Sequence, residues 1–545
     1  MSDNKEQTTK SAAVRNLRRK RSYKYVLVGE GVAIGLVTGV LISIFRLMLI
    51  AADSLRNKLA DFARLGLLPG GNSETGQVTI PQPLAAVITA VILAAVAVLV
   101  VLLLRAEPDI GGSGIPQVEA EVRGQKDMCW WRVIVCKMTG CALAIGGGLA
   151  LGREGPSIQL GAMVGKGFAR LNHRLLTEER LLITCGAGSG LSAAFGAPLA
   201  GAIFSLEELH RNFSAEVLLS SMAASVTSQF VAGLIVGTTP VFGFDVDHGL
   251  PLKYYWAVVL LGVITGACGI FYNKTIAFMQ RLFDRFNKPL YRILAMFAVS
   301  YILIFVYPTA LGSGGSLVGE ISHGKYALAA LAVLLLVKFV FSTASFGSGA
   351  PGGIFLPLLV LGAVTGGLFS RLLGVFGLDQ NYITAFVVIA MAGYFAAIVR
   401  APVTGVVLIT EMTGDFTSLL PLVMVSLIAC VIADRSGTEP IYTQLLKRSE
   451  QKTRYPAVDA RTRDRKTIFE ADVHTGSYMD GRPVVDFGLP IGALIVSVVR
   501  GGAEIIPDGH TILRAGDELE ILTREQDVAD VESLVDARCH TVVKM

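Results

Sequence analysis

Three glycine-rich cassettes in this sequence have the residue types and spacing to hold an anion without fixing a charge beside it. They are Gly112-Ser113-Gly114-Ile115-Pro116, Gly152-Arg153-Glu154-Gly155-Pro156 and Gly352-Gly353-Ile354-Phe355-Leu356-Pro357. Each suits the start of a helix, whose first N–H groups lack partners and which carries about half a positive charge at that end. Glycine removes the Cβ that would keep an ion at a distance, and proline in the first turn gives up only a donor that has no acceptor. A carboxylate beside such a site, as Glu154 is, can compete with an anion for the same amides and can also take up a proton.

These cassettes recur. Gly112-Ser113-Gly114 returns as Gly312-Ser313-Gly314, and Gly152 to Pro156, running on to Gly161-Ala162 and Gly165, as Gly353 to Pro357, running on to Gly362-Ala363 and Gly366. Ala197-Pro198-Leu199-Ala200-Gly201 with Glu207 returns as Ala401-Pro402-Val403-Thr404-Gly405 with Glu411. The offsets are 200, 201 and 204, so the order is kept with small insertions. Broken helices at corresponding positions of two repeats are the sequence mark of a transport site at the repeat interface.

The elements that position the cassettes are membrane helices. Of 545 residues, 52% are hydrophobic and 17% charged, which is too apolar for a soluble globular protein of this size. Tyr25–Leu49, Pro83–Leu104, Trp256–Phe271, Ala327–Phe341 and Leu419–Ala433 reach or approach the length of a bilayer crossing. The first run is too long for a signal peptide and ends in no cleavage site, so it reads as a retained helix. Residues 1–24 are polar and read as a disordered basic segment; Arg15, Arg18, Arg19, Lys20, Arg21 and Lys24 crowd the first span, and Lys447, Arg448, Lys452 and Arg454 follow the last. The positive-inside rule then puts both termini in the cytoplasm and makes the number of crossings even. The basic clusters are topogenic and imply no nucleic acid. The cysteines lie singly with no CxxC spacing, so neither a disulfide framework nor a metal site is implied.

The membrane region spans about residues 25–446, with repeat halves of about 25–235 and 254–446 and a charged linker over 447–466. The remainder, 467–545, changes character. A β-rich run, Ala493 to Arg500, meets Gly501-Gly502 as in a hairpin; Ala503–Ile506, the turn Pro507-Asp508-Gly509, a strand from Gly516 to Leu522 and a helix over Asp527–Asp536 follow. This is a small α+β domain.

With GSGIP (112–116), GREGP (152–156), GGIFLP (352–357), the stretch Phe195–Glu208 ending in paired glutamates, and Pro440-Ile441-Tyr442, the chain resembles the CLC family of chloride channels and proton-coupled chloride transporters. The resemblance implies an all-α polytopic membrane domain of two inverted-topology repeats, a homodimer with one anion pathway per subunit, chloride as substrate and no cofactor. It further implies an inner (plasma) membrane location and no enzymatic activity. It assigns Ser113 and Tyr442 as hydroxyl donors to chloride, with the amides of Ile354 and Phe355 completing the shell. Gly112, Gly114, Pro116, Gly152, Arg153, Gly155, Pro156 and Gly353 build the supporting helix ends. Glu154 becomes both gate and proton carrier, Glu208 the internal proton-transfer carboxylate and Glu207 its neighbour on the water route. A glutamate at 208 matches the antiporters of the family; a passive chloride channel on the same scaffold is the alternative. Glu411 reads as structural, in partnership with Arg400.

The tail, through Arg500-Gly501-Gly502, Ile505 to Gly509 and Ala515-Gly516-Asp517, resembles the C-terminal lobe of RCK/TrkA regulatory modules. It lacks the glycine-rich nucleotide-binding lobe that precedes this unit in potassium systems, so the resemblance implies a different small-molecule ligand or an added dimer contact. Other classes fail on content. No GxxxxGK[ST], HExxH or GxSxG occurs, no TVGYG potassium filter is present, and Gly186-Ala187-Gly188-Ser189-Gly190 lacks the flanking strand of a dinucleotide site.

Overall fold

A computed structural model describes residues 3–66, 80–210, 215–243, 249–286, 288–377, 380–452, 466–501, 503–524 and 527–540. The chain forms two compact units. Among the described residues, the membrane unit begins with α1 (Asp3–Leu65), α2 (Gln82–Ala106), α3 (Ile115–Val122), α4 (Trp130–Gly146), α5 (Glu154–Leu171), α6 (Leu176–Phe195), α7 (Pro198–Phe204) and α8 (Ala215–Val236). The series then repeats in order as α9 (Tyr255–Asp284), α10 (Pro289–Val306), α11 (Gly315–Ser322), α12 (Leu328–Gly347), α13 (Phe355–Val375), α14 (Ile383–Val399), α15 (Pro402–Thr413) and α16 (Leu419–Arg435), closed by α17 (Ile441–Lys452).

The repetition extends to backbone detail. A 3-10 turn, Pro108–Ile110 or Pro308–Ala310, precedes each Gly-Ser-Gly cassette. Gly112 and Gly312 share φ of 63°, and Gly114 and Gly314 stand at 97° and 81°. These left-handed values turn the chain sharply into α3 and α11, and glycine adopts them without steric cost. Among the described residues seven helices, including residues 25–65 of α1, are long and apolar enough to cross a bilayer. The chain is an integral, multi-pass membrane protein.

At its two ends, helices run past the boundaries that the sequence suggests. α1 runs from Asp3 instead of starting at the apolar boundary, because no glycine or proline interrupts the sequence before Gly29. α17 continues to Lys452, past the expected start of the linker, and residues 453–465 lie outside the described residues.

At the centre of the unit α5 packs on α6 and α13 on α14. The α5–α6 contact explains the run Gly186 to Gly190. A Cβ on Gly186 would collide with the Gly161 carbonyl, one on Gly190 with that of Ser157, and one on Gly165 with that of Leu182. Lipid offers no hydrophobic drive between helices, so such close backbone approach supplies the packing energy instead. α14 is buried along its whole length, as a helix apolar on every face must be.

The C-terminal unit is an antiparallel sheet of β1 (Lys466–Asp472), β2 (Leu494–Arg500), β3 (Ala503–Ile505) and β4 (Glu518–Arg524) in the order β1-β4-β2-β3, followed by α18 (Val528–Val535). The β2–β3 hairpin and β4 stand where the sequence expects them; β1 was not expected, since its alternation is short and charged. Leu519 and Ile521 of β4, Ile495 and Val498 of β2 and Val531 and Val535 of α18 form its core.

Asp517 anchors this unit. Its carboxylate accepts from Arg500 Nε and Nη2, each at 2.7 Å, and from the Arg514 N–H at 2.8 Å. Burial alone would raise its pKa, but the hydrogen bonds from Arg500 and Arg514 and the Arg500 charge outweigh it, so the net shift is downward. A carboxyl with a depressed folded-state pKa stabilises fully above its unfolded value, and the contribution disappears as pH falls through the folded value. Asp517→Asn is therefore expected to cost the domain about 2–3 kcal/mol near pH 7. Amide exchange of β2 and β4 in the full chain should register the loss, and the gap from the wild type should close as pH drops below the ordinary aspartate range.

Candidate functional site

The cassettes meet. Gly152 N–H donates to the Gly353 carbonyl and Gly353 N–H to that of Gly152, both at 2.7 Å, so α5 and α13 start from one small antiparallel bridge. Gly352 N–H donates to the Gly112 carbonyl at 3.0 Å, which ties in the turn that leads to α3. Pro156 and Pro357 occupy the third position of α5 and α13, so neither removes an intrahelical bond.

This arrangement leaves no room for side chains between the helix starts. A Cβ on Gly155 would collide with the hydroxyl and carbonyl of Ser113, one on Gly152 with the Glu154 carboxylate, and one on Gly353 would stand 3.1 Å from Glu154 Oε2. Glu154 is fully buried at the first position of α5. Its repeat counterpart is Phe355, whose ring packs between Phe195 (centroids 5.4 Å apart) and Phe395 (4.8 Å). Among the described residues no ion pair joins Arg153 to Glu154; the Arg153 guanidinium lies 5.8 Å from the Phe195 ring centroid.

Buried polar atoms without partners gather here. They are Ser113 Oγ and the Tyr442 hydroxyl, and the Glu154 carboxylate beside them faces the backbone N–H groups of its own residue, Leu356 and Arg153. An unsatisfied buried polar group costs about 1–3 kcal/mol, so a cluster of them marks a functional position. Tyr442 lies at the start of α17, which packs on α3, and is within electrostatic reach of both Glu208 and Glu154. Glu208 is buried in a π-helical turn, Ser205–His210, that continues α7. Ser113, Glu154, Ile354 and Phe355 are thus brought together, with Tyr442 and Glu208 within range of the carboxylate or hydroxyl they would serve.

Glu207 has a different setting. Its Oε2 accepts from Thr404 N–H at 2.8 Å and from the Thr404 hydroxyl at 2.6 Å, at the start of α15 in the other repeat. Glu411 likewise accepts from Leu199 N–H at 3.1 Å and Ala200 N–H at 2.8 Å, at the start of α7. The expected Glu411–Arg400 pairing is therefore incorrect. Arg400 precedes α15 whereas Glu411 lies near its far end, roughly 14 Å along the axis. Arg400 pairs instead with Asp434 at 2.9 Å and donates to the Thr438 carbonyl at 3.1 Å.

Sequence reasoning missed the two buried lysines that hold the Gly-Ser-Gly cassettes. Lys137 donates to the carbonyls of Ile110 and Gly112, both at 2.8 Å, and Lys338 to those of Ala310 (2.9 Å) and Gly312 (2.7 Å). Each fastens its Gly-Ser-Gly turn by the carbonyl side. The signal was available: a lysine inside an apolar segment, at the 201 spacing of the repeat. Gln159 was also missed; its Nε2 donates to the Asp109 carbonyl at 2.9 Å, beside Gly114.

Residues 90–434 match the family model for voltage gated chloride channels, and residues 468–536 that for the TrkA-C domain. The H(+)/Cl(-) exchange transporter ClcA of Vibrio parahaemolyticus is 35% identical over 391 residues, covering 69% of this chain and 82% of that protein. ClcA of Vibrio cholerae is 37% identical over 361 residues, covering 63% and 76%. A solved slow cyanobacterial Cl-/H+ antiporter superposes with a TM-score of 0.72 at 30% identity, over 78% of this chain and 99% of its own. A CLC-type fluoride/proton antiporter shares the fold, with a TM-score of 0.62 at 22% identity over 77% of this chain and 97% of its own. With converging helix ends, a buried carboxylate among them and a family match over most of its length, the chain belongs to the CLC family of voltage gated chloride channels.

Proposed function

We propose that this protein exchanges chloride for protons across a membrane. The observation that carries the reading is Glu154: a carboxylate buried at the junction of α5 and α13, beside Gly152 and Gly353 and one residue from the close approach of Gly155 to Ser113, with a second buried carboxylate, Glu208, in range of Tyr442. Chloride is held by the Ser113 and Tyr442 hydroxyls and by the Ile354 and Phe355 amides. None of these fixes a charge, so the ion can leave. The cassette residues Gly112, Gly114, Pro116, Gly152, Arg153, Gly155, Pro156 and Gly353 shape the helix starts that present those donors.

Ionised, Glu154 competes for the same amides and closes the path. Protonated, it loses that attraction, swings away and admits chloride, and its proton passes to Glu208 on the cytoplasmic side. The reading includes a homodimer, cytoplasmic termini, no cofactor and no enzymatic turnover, and it is supported by the family membership. Residues 25–446 form the transport domain, and 467–545 a regulatory domain that takes a small-molecule ligand or a second copy.

In proteoliposomes a chloride gradient should drive protons uphill; chloride movement with no proton movement overturns the reading. Gly152→Ala should displace the Glu154 carboxylate and lower exchange about tenfold or more, because small misplacements at a reacting group carry large rate costs. Stopped-flow chloride and pH traces of the same vesicles measure both.

A further inference from the structure

α7 and α15 begin without caps of their own. The residues ahead of them are Ala197 and Ala401, which have no side-chain acceptor, and Pro198 and Pro402 open the helices. The free amides at the next positions are capped from the other repeat: Glu411 takes those of Leu199 and Ala200, and Glu207 takes that of Thr404. A carboxylate at a helix N-terminus is the favourable sign for the helix dipole. Each glutamate sits at the far end of the helix its partner caps, so α7 and α15 run antiparallel and brace each other.

One end of this brace is not symmetric. Where copy two continues as regular α-helix through Glu411 and Met412, copy one opens into the π-helical turn Ser205–His210 that carries Glu207 and Glu208. A π turn accommodates one extra residue and rotates the residues beyond it by roughly 100° about the helix axis. The turn is fastened at its start by the Ser205–Ser221 hydroxyl pair at 2.7 Å and farther on by Glu207 on Thr404. We infer that Glu207 and Glu411 are positioning residues, and that the Glu207–Thr404 cap holds the π turn in the register that aims Glu208 into the proton route.

The inference rests on the exchange reading and assigns Glu207 a role as hydrogen-bond acceptor at the start of α15. The test uses full-length protein in liposomes, with proton and chloride flux and amide exchange at Leu199, Ala200 and Thr404. Glu207→Ala should keep chloride flux but lower the proton-to-chloride ratio about threefold or more. It should also speed Thr404 exchange about tenfold. Glu207→Gln, which keeps an acceptor oxygen, should keep both values near the wild type. Thr404→Val removes the hydroxyl donor only and should give a smaller drop in the ratio; it serves if the alanine variant does not fold. Glu411→Ala should speed exchange at Leu199 and Ala200. Loss of coupling in Glu207→Gln as complete as in Glu207→Ala, or unchanged coupling in both Glu207→Ala and Thr404→Val, overturns the inference. A wild type that moves no protons defeats the exchange reading instead, and the brace is then judged by amide exchange alone.

Discussion

Replacing Glu154 by glutamine should abolish proton movement and leave chloride flux that no longer responds to pH. Among the described residues it is the carboxylate that stands at the junction of the Gly152–Gly353 bridge, and its counterpart in the second repeat is Phe355, which cannot titrate. In the wild type, lowering the pH neutralises Glu154, removes its competition for the α5 and α13 amides and speeds chloride. On the side where Glu154 is ionised, the open fraction rises by up to about tenfold per pH unit, the limit for one titrating group. Glutamine keeps the shape and has no proton to exchange, so the slope should vanish. Flux measured over several pH units in the variant checks this; a retained pH slope or retained proton transport would show that another group is the gate.

The second large effect is expected at Glu208. It is buried within electrostatic reach of Tyr442, in a turn whose repeat counterpart carries Met412. Glu208→Gln should leave chloride flux within about twofold of the wild type, since the residue is no part of the anion shell, a neighbouring substitution of this kind being nearly neutral for it. Proton transport should fall to background. Parallel loss of both fluxes would place Glu208 in the chloride path, and undiminished proton coupling would remove it from the proton path. Glu154→Gln and Glu208→Gln thus differ in one readout: the first frees chloride from pH, whereas the second leaves the gate titratable.

Much of the site is legible in the sequence. The cassettes carry their own backbone instructions, since glycine at 112, 114, 312 and 314 is what a left-handed turn into a helix needs, and the repeat spacing locates both copies. The asymmetry of Glu154 against Phe355 is a plain difference between aligned copies. Relations across the repeat interface are not legible. Nothing local to Glu411 says that it caps α7, and proximity in sequence favours Arg400, which helix geometry puts out of reach. The π turn at Ser205–His210 escapes for a related reason, because a one-residue change in helical register depends on where both ends are tied and not on propensity. Lys137 and Lys338 are readable in principle as paired cations in apolar segments, and only their carbonyl partners require the fold.

The repeat also explains why one site performs two tasks. Equivalent helix ends from two copies converge to make a site of neutral donors, and each copy contributes its glutamate to hold the other's helix. On the exchange reading, function then depends on the places where the copies differ, a carboxylate in place of Phe355 and another in place of Met412.

The reversal potential of the reconstituted protein, with equal chloride on both sides and an imposed proton gradient, tests coupling most directly. Obligatory exchange moves the reversal potential away from zero with the proton gradient, by a fraction of about 59 mV per tenfold difference. A reversal potential that stays at zero whatever the proton gradient would contradict exchange and leave a passive chloride conductance on the same scaffold.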